Sequence, residues 1–394
     1  MPHLCASCLA LGLTRADFEN PPFVPEGKYH SIALRGTIGD LRIREAGCGL
    51  CRLLLHALSR EARSQPELLS DRGADWEAEW MQNAFEYDPN ADGAEAKYGS
   101  ALYPKFKAAT GSSNYGVQLV DDAATTVPLR GRAISDEVDM ERVASWIRRC
   151  REEHGPRCVE GYLAAADHPI GVPGFFVIDV NRKCLTTLPG GMEYVALSYV
   201  WGKSSFVNTT KSNVDLFRID GAFGRVRLPK TIRDAIEVAA RLRYRFLWVD
   251  AVCIVQDDDS TKPLLIRSMD AVYGNAALTI IAASGTHAAA GFLRSRNRVN
   301  GDPESSFAVQ EISLGFSLGV IPFLDGELMH CPHAQRGWTF QEGCRSPRCL
   351  VFLDGLAYFV CRTSVWREDL VAESSDFSPF EGANVLGKTS SEWP

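Results

Sequence analysis

The sequence predicts an α/β protein: a parallel sheet with helices on both faces, preceded by a mainly helical N-terminal region. Three observations carry this. Short apolar runs, YVALSYVWG from Tyr194, FLWVDAVCI from Phe246 and ALTIIAAS from Ala277, are bounded by Gly or polar residues. Runs of that kind fit strands buried on both faces. Between them lie helical patterns, LPKTIRDAIEVAARLRYR and SMDAVYGNA. Strand, helix, strand, helix, strand is the order of a doubly wound sheet.

Within that core, Leu228-Pro229 opens the long helix, and Thr231 with Asp234 has the spacing of a capping box. Ile232, Ala235, Ile236, Ala239 and Leu242 make its buried stripe. Residues 286–335, rich in Gly, Ser and charge, interrupt the alternation and are expected to form an inserted hairpin or lid. Cys349–Leu353 and Leu356–Cys361 read as two strands around the turn Asp354-Gly355. From Thr363 the chain turns polar and Ser-rich, and residues 363–394 are expected to be a disordered tail.

Upstream, two C-x-x-C pairs, Cys5/Cys8 and Cys48/Cys51, supply the ligand set of a closed tetrahedral zinc site. Cys51, Leu54, Leu55 and Leu58 also form an apolar helical stripe, so packed free thiols remain open beside zinc. His3 and His30 are spare ligand candidates. The acidic, Trp-containing stretch around 71–98 suggests a helix across Trp76–Phe85, and Val117–Val120 suggests a short strand. A helix is expected from Ser135, as N-cap, to a stop at Gly155-Pro156. Cys150, His154 and Cys158 have a metal-like spacing. Because Gly155-Pro156 breaks the helix before Cys158, His154 reads instead as a helix-end residue near the last carbonyls. Phe175–Val180 and Cys184–Thr187 read as a hairpin leading into the core domain. The divisions are residues 1–190, cysteine-bearing and mainly helical, then 191–362, then the tail.

Bulk properties narrow the function classes. A length of 394 residues suits two domains. A net charge of −7 lacks the basic footprint of a nucleic-acid binder. No apolar run is long enough to span a bilayer, and the N-terminus lacks the pattern of a secretory signal. Twelve cysteines without such a signal point to reduced thiols or metal ligands, in the cytosol or nucleus.

The blocks LSYVWG, LPKTIRDAI, FLWVDAVCIVQDD, YGNAALTIIAASG and RGWTFQE, in that order from Tyr194 to Cys361, resemble the fungal heterokaryon-incompatibility (HET) domain. The resemblance implies a cytoplasmic trigger of non-self recognition and regulated cell death. It also implies partners that are copies of itself or other incompatibility proteins. The HET fold is considered similar to the Toll/interleukin-receptor (TIR) fold, a flavodoxin-like parallel sheet.

In doubly wound sheets, ligands bind beyond the carboxyl ends of the strands. Gly202-Lys203 after the first strand and Ser284 after the third meet that description. Trp338 and Glu342, four apart in RGWTFQE, share one face if helical. They match the Trp-x-x-x-Glu pattern with which some TIR domains cleave NAD. By that resemblance Glu342 is the catalytic carboxylate, and Trp338 stacks on a base or nicotinamide. Arg336 or Lys203 would meet a phosphate. The alternative is a non-enzymatic module that signals by self-association.

Overall fold

The structure is a computed structural model. It describes residues 4–19, 30–62, 66–84, 98–107, 115–121, 130–159, 171–203, 206–294, 308–322, 328, 331–334 and 345–371. The chain divides into two compact units. One contains residues up to Asp136 and the later segments 296–327 and 367–380; the other contains Glu137–Ser295 and Leu328–Trp366.

The first unit is built on a sheet, not mainly on helices. Its strands are β1 (His30–Thr37), β2 (Asp75–Ala84), β3 (Tyr98–Phe106), β4 (Tyr115–Val120) and β5 (Arg130–Gly131). The helix expected across 76–85 is β2. Its inward side carries Trp76 and Ala78, both buried, on either side of the less buried Glu77. That period of two is a strand period, which the acidic composition had masked. The helix Gly49–Glu61 packs over β3 and β4 through Leu50, Leu53, Leu54, Ala57 and Leu58.

The second unit opens with the helix Met140–Glu153, capped by Asp139, whose carboxylate accepts the Arg142 amide at 3.0 Å. The helix thus starts four residues later than Ser135-capping predicts. Next come β6 (Phe176–Asp179), β7 (Cys184–Thr187), β8 (Val195–Ser198), β9 (Phe246–Trp248) and β10 (Leu278–Ala282). β6 and β7 form an antiparallel hairpin, and β6 pairs with β9. The hairpin expected to lead into the core domain across a boundary near 190 is therefore part of the same sheet. β9 stops at Trp248. Asp250–Cys253 is a helical turn, not strand, and Cys253 is fully buried in it with its thiol accepting the Val249 amide at 3.3 Å.

The helix Lys230–Arg241 lies between β8 and β9 in sequence and buries Ile232, Ala235, Val238 and Ala239. Thr231 and Asp234 do not cap it. Thr231 Oγ1 accepts the Gly291 amide, and Asp234 Oδ2 accepts those of Phe292 and Leu293 at 2.8 and 3.2 Å. They hold the loop after β10 to the helix.

The chain then re-enters the first sheet as a hairpin, β11 (Val309–Ser313) and β12 (Phe316–Pro322), with β12 antiparallel to β4. It returns to the second sheet as β13 (Arg348–Leu353), β14 (Leu356–Cys361) and β15 (Val365–Arg367). β16 (Leu370–Val371) pairs with β5. The first residues of the expected tail are thus ordered strands, with Val365, Trp366 and Leu370 buried. Residues 372–394 lie outside the described residues.

The second sheet runs β15-β14-β13-β10-β8-β9-β6-β7. Its centre, β13-β10-β8-β9, is parallel, and antiparallel strands flank it on both sides. β8, β10 and β13 are buried along their whole length, as strands covered on both faces must be. Among the described residues, no helix is long and apolar enough to cross a membrane.

Candidate functional site

Parallel pairing brings the carboxyl ends of β8, β10 and β13 level, with Ser198 and Val351 both opposite Ile281. Polar side chains gather just beyond. Ser198 Oγ lies 2.6 Å from His333 Nε2, and both residues are buried. The His333 amide in turn donates to the carbonyl of Ala283, one residue past β10, at 3.3 Å. Ser284 Oγ donates to Asp354 Oδ1 at 3.1 Å and accepts the Asp354 amide at 2.5 Å, closing the turn between β13 and β14. Trp201 Nε1 donates to Asp250 Oδ2 at 2.8 Å, which joins the loops after β8 and β9.

Gly202 takes a left-handed conformation, φ +77°. A Cβ there would stand 2.4 Å from the Cβ of His287, so glycine is required for the loops after β8 and β10 to meet. The Trp201 carbonyl accepts the Ala288 amide at 3.0 Å in the same contact. Gly202 and Ser284 therefore lie at adjacent strand ends, each engaged with a neighbouring loop, and Lys203 beside them is exposed. Arg336, Trp338 and Glu342 lie outside the described residues.

A second constellation is in the first unit. Cys48 caps the helix Gly49–Glu61, so Cys51 follows one turn later. Cys5 and Cys8 bracket the start of the short helix Ala6–Leu9. Cys51 Sγ is 3.7 Å from Cys5 Sγ and 3.6 Å from Cys8 Sγ, and all four sulfurs lie within 4.8 Å of one another. A tetrahedron with metal–sulfur bonds of about 2.3 Å has sulfur–sulfur edges of about 3.8 Å. The four thiols are close enough to hold a metal ion. The Cys51 amide points at Cys48 Sγ from 3.5 Å, a donor that favours a thiolate. Hydrogen bonds from the Cys51 and Cys8 thiols hold Cys48 well below the ordinary thiol range. Hydrogen bonds with Cys48 and Cys51 push Cys8 up, with burial adding to them. Four thiolates this close together need a cation.

Residues 194–342 match the family model described as Heterokaryon incompatibility protein (HET). The chain carries a HET domain. A 107-residue stretch is 34% identical to heterokaryon incompatibility protein 6, OR allele, of Neurospora crassa, covering 25% of this chain and 15% of that protein. The chain thus corresponds to a small part of that relative's length. No solved structure matches it.

The HET domain holds the parallel strands β8, β9 and β10 and the loops after them, and the four thiols of the first unit precede it. Within it, His333 and Asp250 were not singled out from sequence. His333 sits in a stretch without periodicity or motif, and only the sheet brings it to Ser198, 135 positions away. Outside it, Asp354 was read as a turn residue alone. His154 is not a carbonyl cap either: its ring nitrogens face Cys361 and Ser364.

Proposed function

We propose that this chain is an effector of heterokaryon incompatibility, acting in the cytoplasm in fungal non-self recognition and regulated cell death. Its HET domain binds NAD at the carboxyl edge of the parallel strands and cleaves it. The observation that carries this reading is the strand order β9-β8-β10-β13. Taken in chain order these are strands 2-1-3-4, an order that supports a flavodoxin-like arrangement of the TIR kind. In sheets of that order ligands bind where the order reverses, which here falls between β8 and β10.

On this reading Gly202 and Ser284 flank the bound NAD, and Lys203 with Arg336 pairs with the pyrophosphate. Trp338 stacks on the nicotinamide. Glu342 is the carboxylate that faces the positive charge developing at the ribose. The bond between ribose C1′ and the nicotinamide nitrogen breaks, and nicotinamide leaves with the electron pair. Water adds at C1′ and its proton passes to solvent. Zinc at Cys5, Cys8, Cys48 and Cys51 is assigned a structural role, since four sulfurs leave no open coordination position.

A second reading is a non-enzymatic module that signals by self-association or by binding other incompatibility proteins. Leu216 and Ile219, three positions apart and 60% and 53% exposed, favour it, because apolar side chains so placed suit a protein partner. Expression in a filamentous fungus separates the two. The enzymatic reading expects loss of viability with the native chain and survival with Glu342→Gln. Equal killing by both chains, with rescue by Leu216→Ser/Ile219→Ser, would favour self-association.

A further inference from the structure

Four donors from three separate segments converge in the second unit, and every one of them lies outside residues 194–342. Cys150 is on the last turn of the helix Met140–Glu153, and His154 is its C-cap, so the two share a face one turn apart. Gly155 then takes φ +61°, which only a residue free of a Cβ adopts readily, and the chain turns into the short helix Pro156–Val159. The turn folds Cys158 back toward Cys150. Cys361, the last residue of β14, arrives from the sheet. The three sulfurs and one imidazole nitrogen all lie within 4.8 Å of one another, and Cys361 Sγ is 3.3 Å from His154 Nδ1.

The surroundings are those of a metal centre. Cys361 Sγ accepts the amides of Thr363 and Ser364 at 3.4 and 3.2 Å, two donors that stabilise charge on sulfur. Ser364 Oγ engages His154 Nε2 at 3.4 Å and fixes the ring with Nδ1 toward the sulfurs. Trp366, 5.2 Å from the His154 ring and stacked on Phe359, shields one side. Cys150, Cys158 and Cys361 are buried. Simple packing of apolar thiols would not aim a ring nitrogen and two amides at one sulfur. A disulfide would use two sulfurs and leave the histidine out. Bonds of about 2.3 Å to sulfur and 2.0 Å to nitrogen place a sulfur and a nitrogen ligand about 3.5 Å apart in a tetrahedron, close to the 3.3 Å between Cys361 Sγ and His154 Nδ1.

We propose that Cys150, His154, Cys158 and Cys361 bind one zinc ion as a closed Cys3His site that clasps together the segments flanking the HET domain. The clasp joins positions more than 200 residues apart, and the ion is structural.

The test is zinc content per chain, by elemental mass spectrometry, in the full chain and in two variants. Cys361→Ser is expected to lose one equivalent relative to the native chain. Cys5→Ser/Cys8→Ser, which removes the other thiol cluster, is expected to retain one. Unchanged zinc in Cys361→Ser, or a folded Cys5→Ser/Cys8→Ser chain without zinc, would overturn the site. If Cys361→Ser does not fold, His154→Cys decides in the Cys5→Ser/Cys8→Ser background. With cobalt in place of zinc, its tetrahedral absorption bands should move as a fourth sulfur replaces nitrogen. Identical spectra would remove His154 from the ligand set.

Discussion

Ser198 Oγ and His333 Nε2 meet at 2.6 Å at the end of β8, in a buried setting. A hydrogen bond lost there leaves a polar atom short of a partner, at about 1–3 kcal/mol. Ser198→Ala and His333→Ala should each destabilise by that order. Together they should cost less than the sum, with a coupling of about 1 kcal/mol in a double-mutant cycle followed by urea unfolding. Strict additivity would mean that the contact contributes nothing.

Gly202→Ala should cost more than an ordinary loop substitution. Its φ of +77° disfavours a side chain, and the new Cβ would meet His287 Cβ at 2.4 Å. We expect a loss of about 2 kcal/mol or more, read as a melting point lower by several degrees. His287→Gly in the same chain should restore part of it, since the clash is with that residue. A melting point unchanged by Gly202→Ala would show that the loops after β8 and β10 do not pack as described.

Acid should act through Asp179. Burial alone would raise its carboxyl. The Arg245 guanidinium at 2.8 Å and the amides of Arg182 and Asn181 outweigh that and hold it below the usual carboxylate range. The folded value is thus below the unfolded value of about 3.9. Its stabilisation is complete above that value and is lost as pH falls through it toward the folded one. Half-exposure of Arg245 keeps the effect modest. The native chain should lose more stability than Asp179→Asn between about pH 6 and about pH 3. Parallel losses would place the acid sensitivity elsewhere.

Cys51 Sγ lies 3.7 and 3.6 Å from the two sulfurs of the first pair, Cys5 and Cys8. Cys51→Ser should release one equivalent of zinc and lower the melting point of the first unit by roughly 5 °C or more. A chain that keeps its full metal content after this substitution would leave these thiols as packed apolar groups.

Much of the second sheet was legible in the sequence, and the reason is physical. β8, β10, β13 and β14 are buried on both faces, so each appears as an unbroken apolar run with a Gly or polar stop. In the first sheet β4 was legible, as the strand expected at Val117–Val120, but β2 was not, because DWEAEWMQNA carries charge on one side and reads as solvated helix. The thiols of Cys5, Cys8, Cys48 and Cys51 were found from two short spacings. Cys361 was not linked to Cys150, since 211 positions separate them and only the return of β14 brings them together. The break at Gly155-Pro156 argued against a shared site for His154 and Cys158, yet it is the turn that makes their approach possible. His333 at the strand tips had no local signal at all.

The most direct measurement is nicotinamide release from NAD by the concentrated, purified chain, followed by chromatography beside Glu342→Gln. The account predicts release by the native chain and its loss, by about a hundredfold or more, in the variant. Equal release by both, or none from a folded and fully metal-loaded native chain, would contradict it.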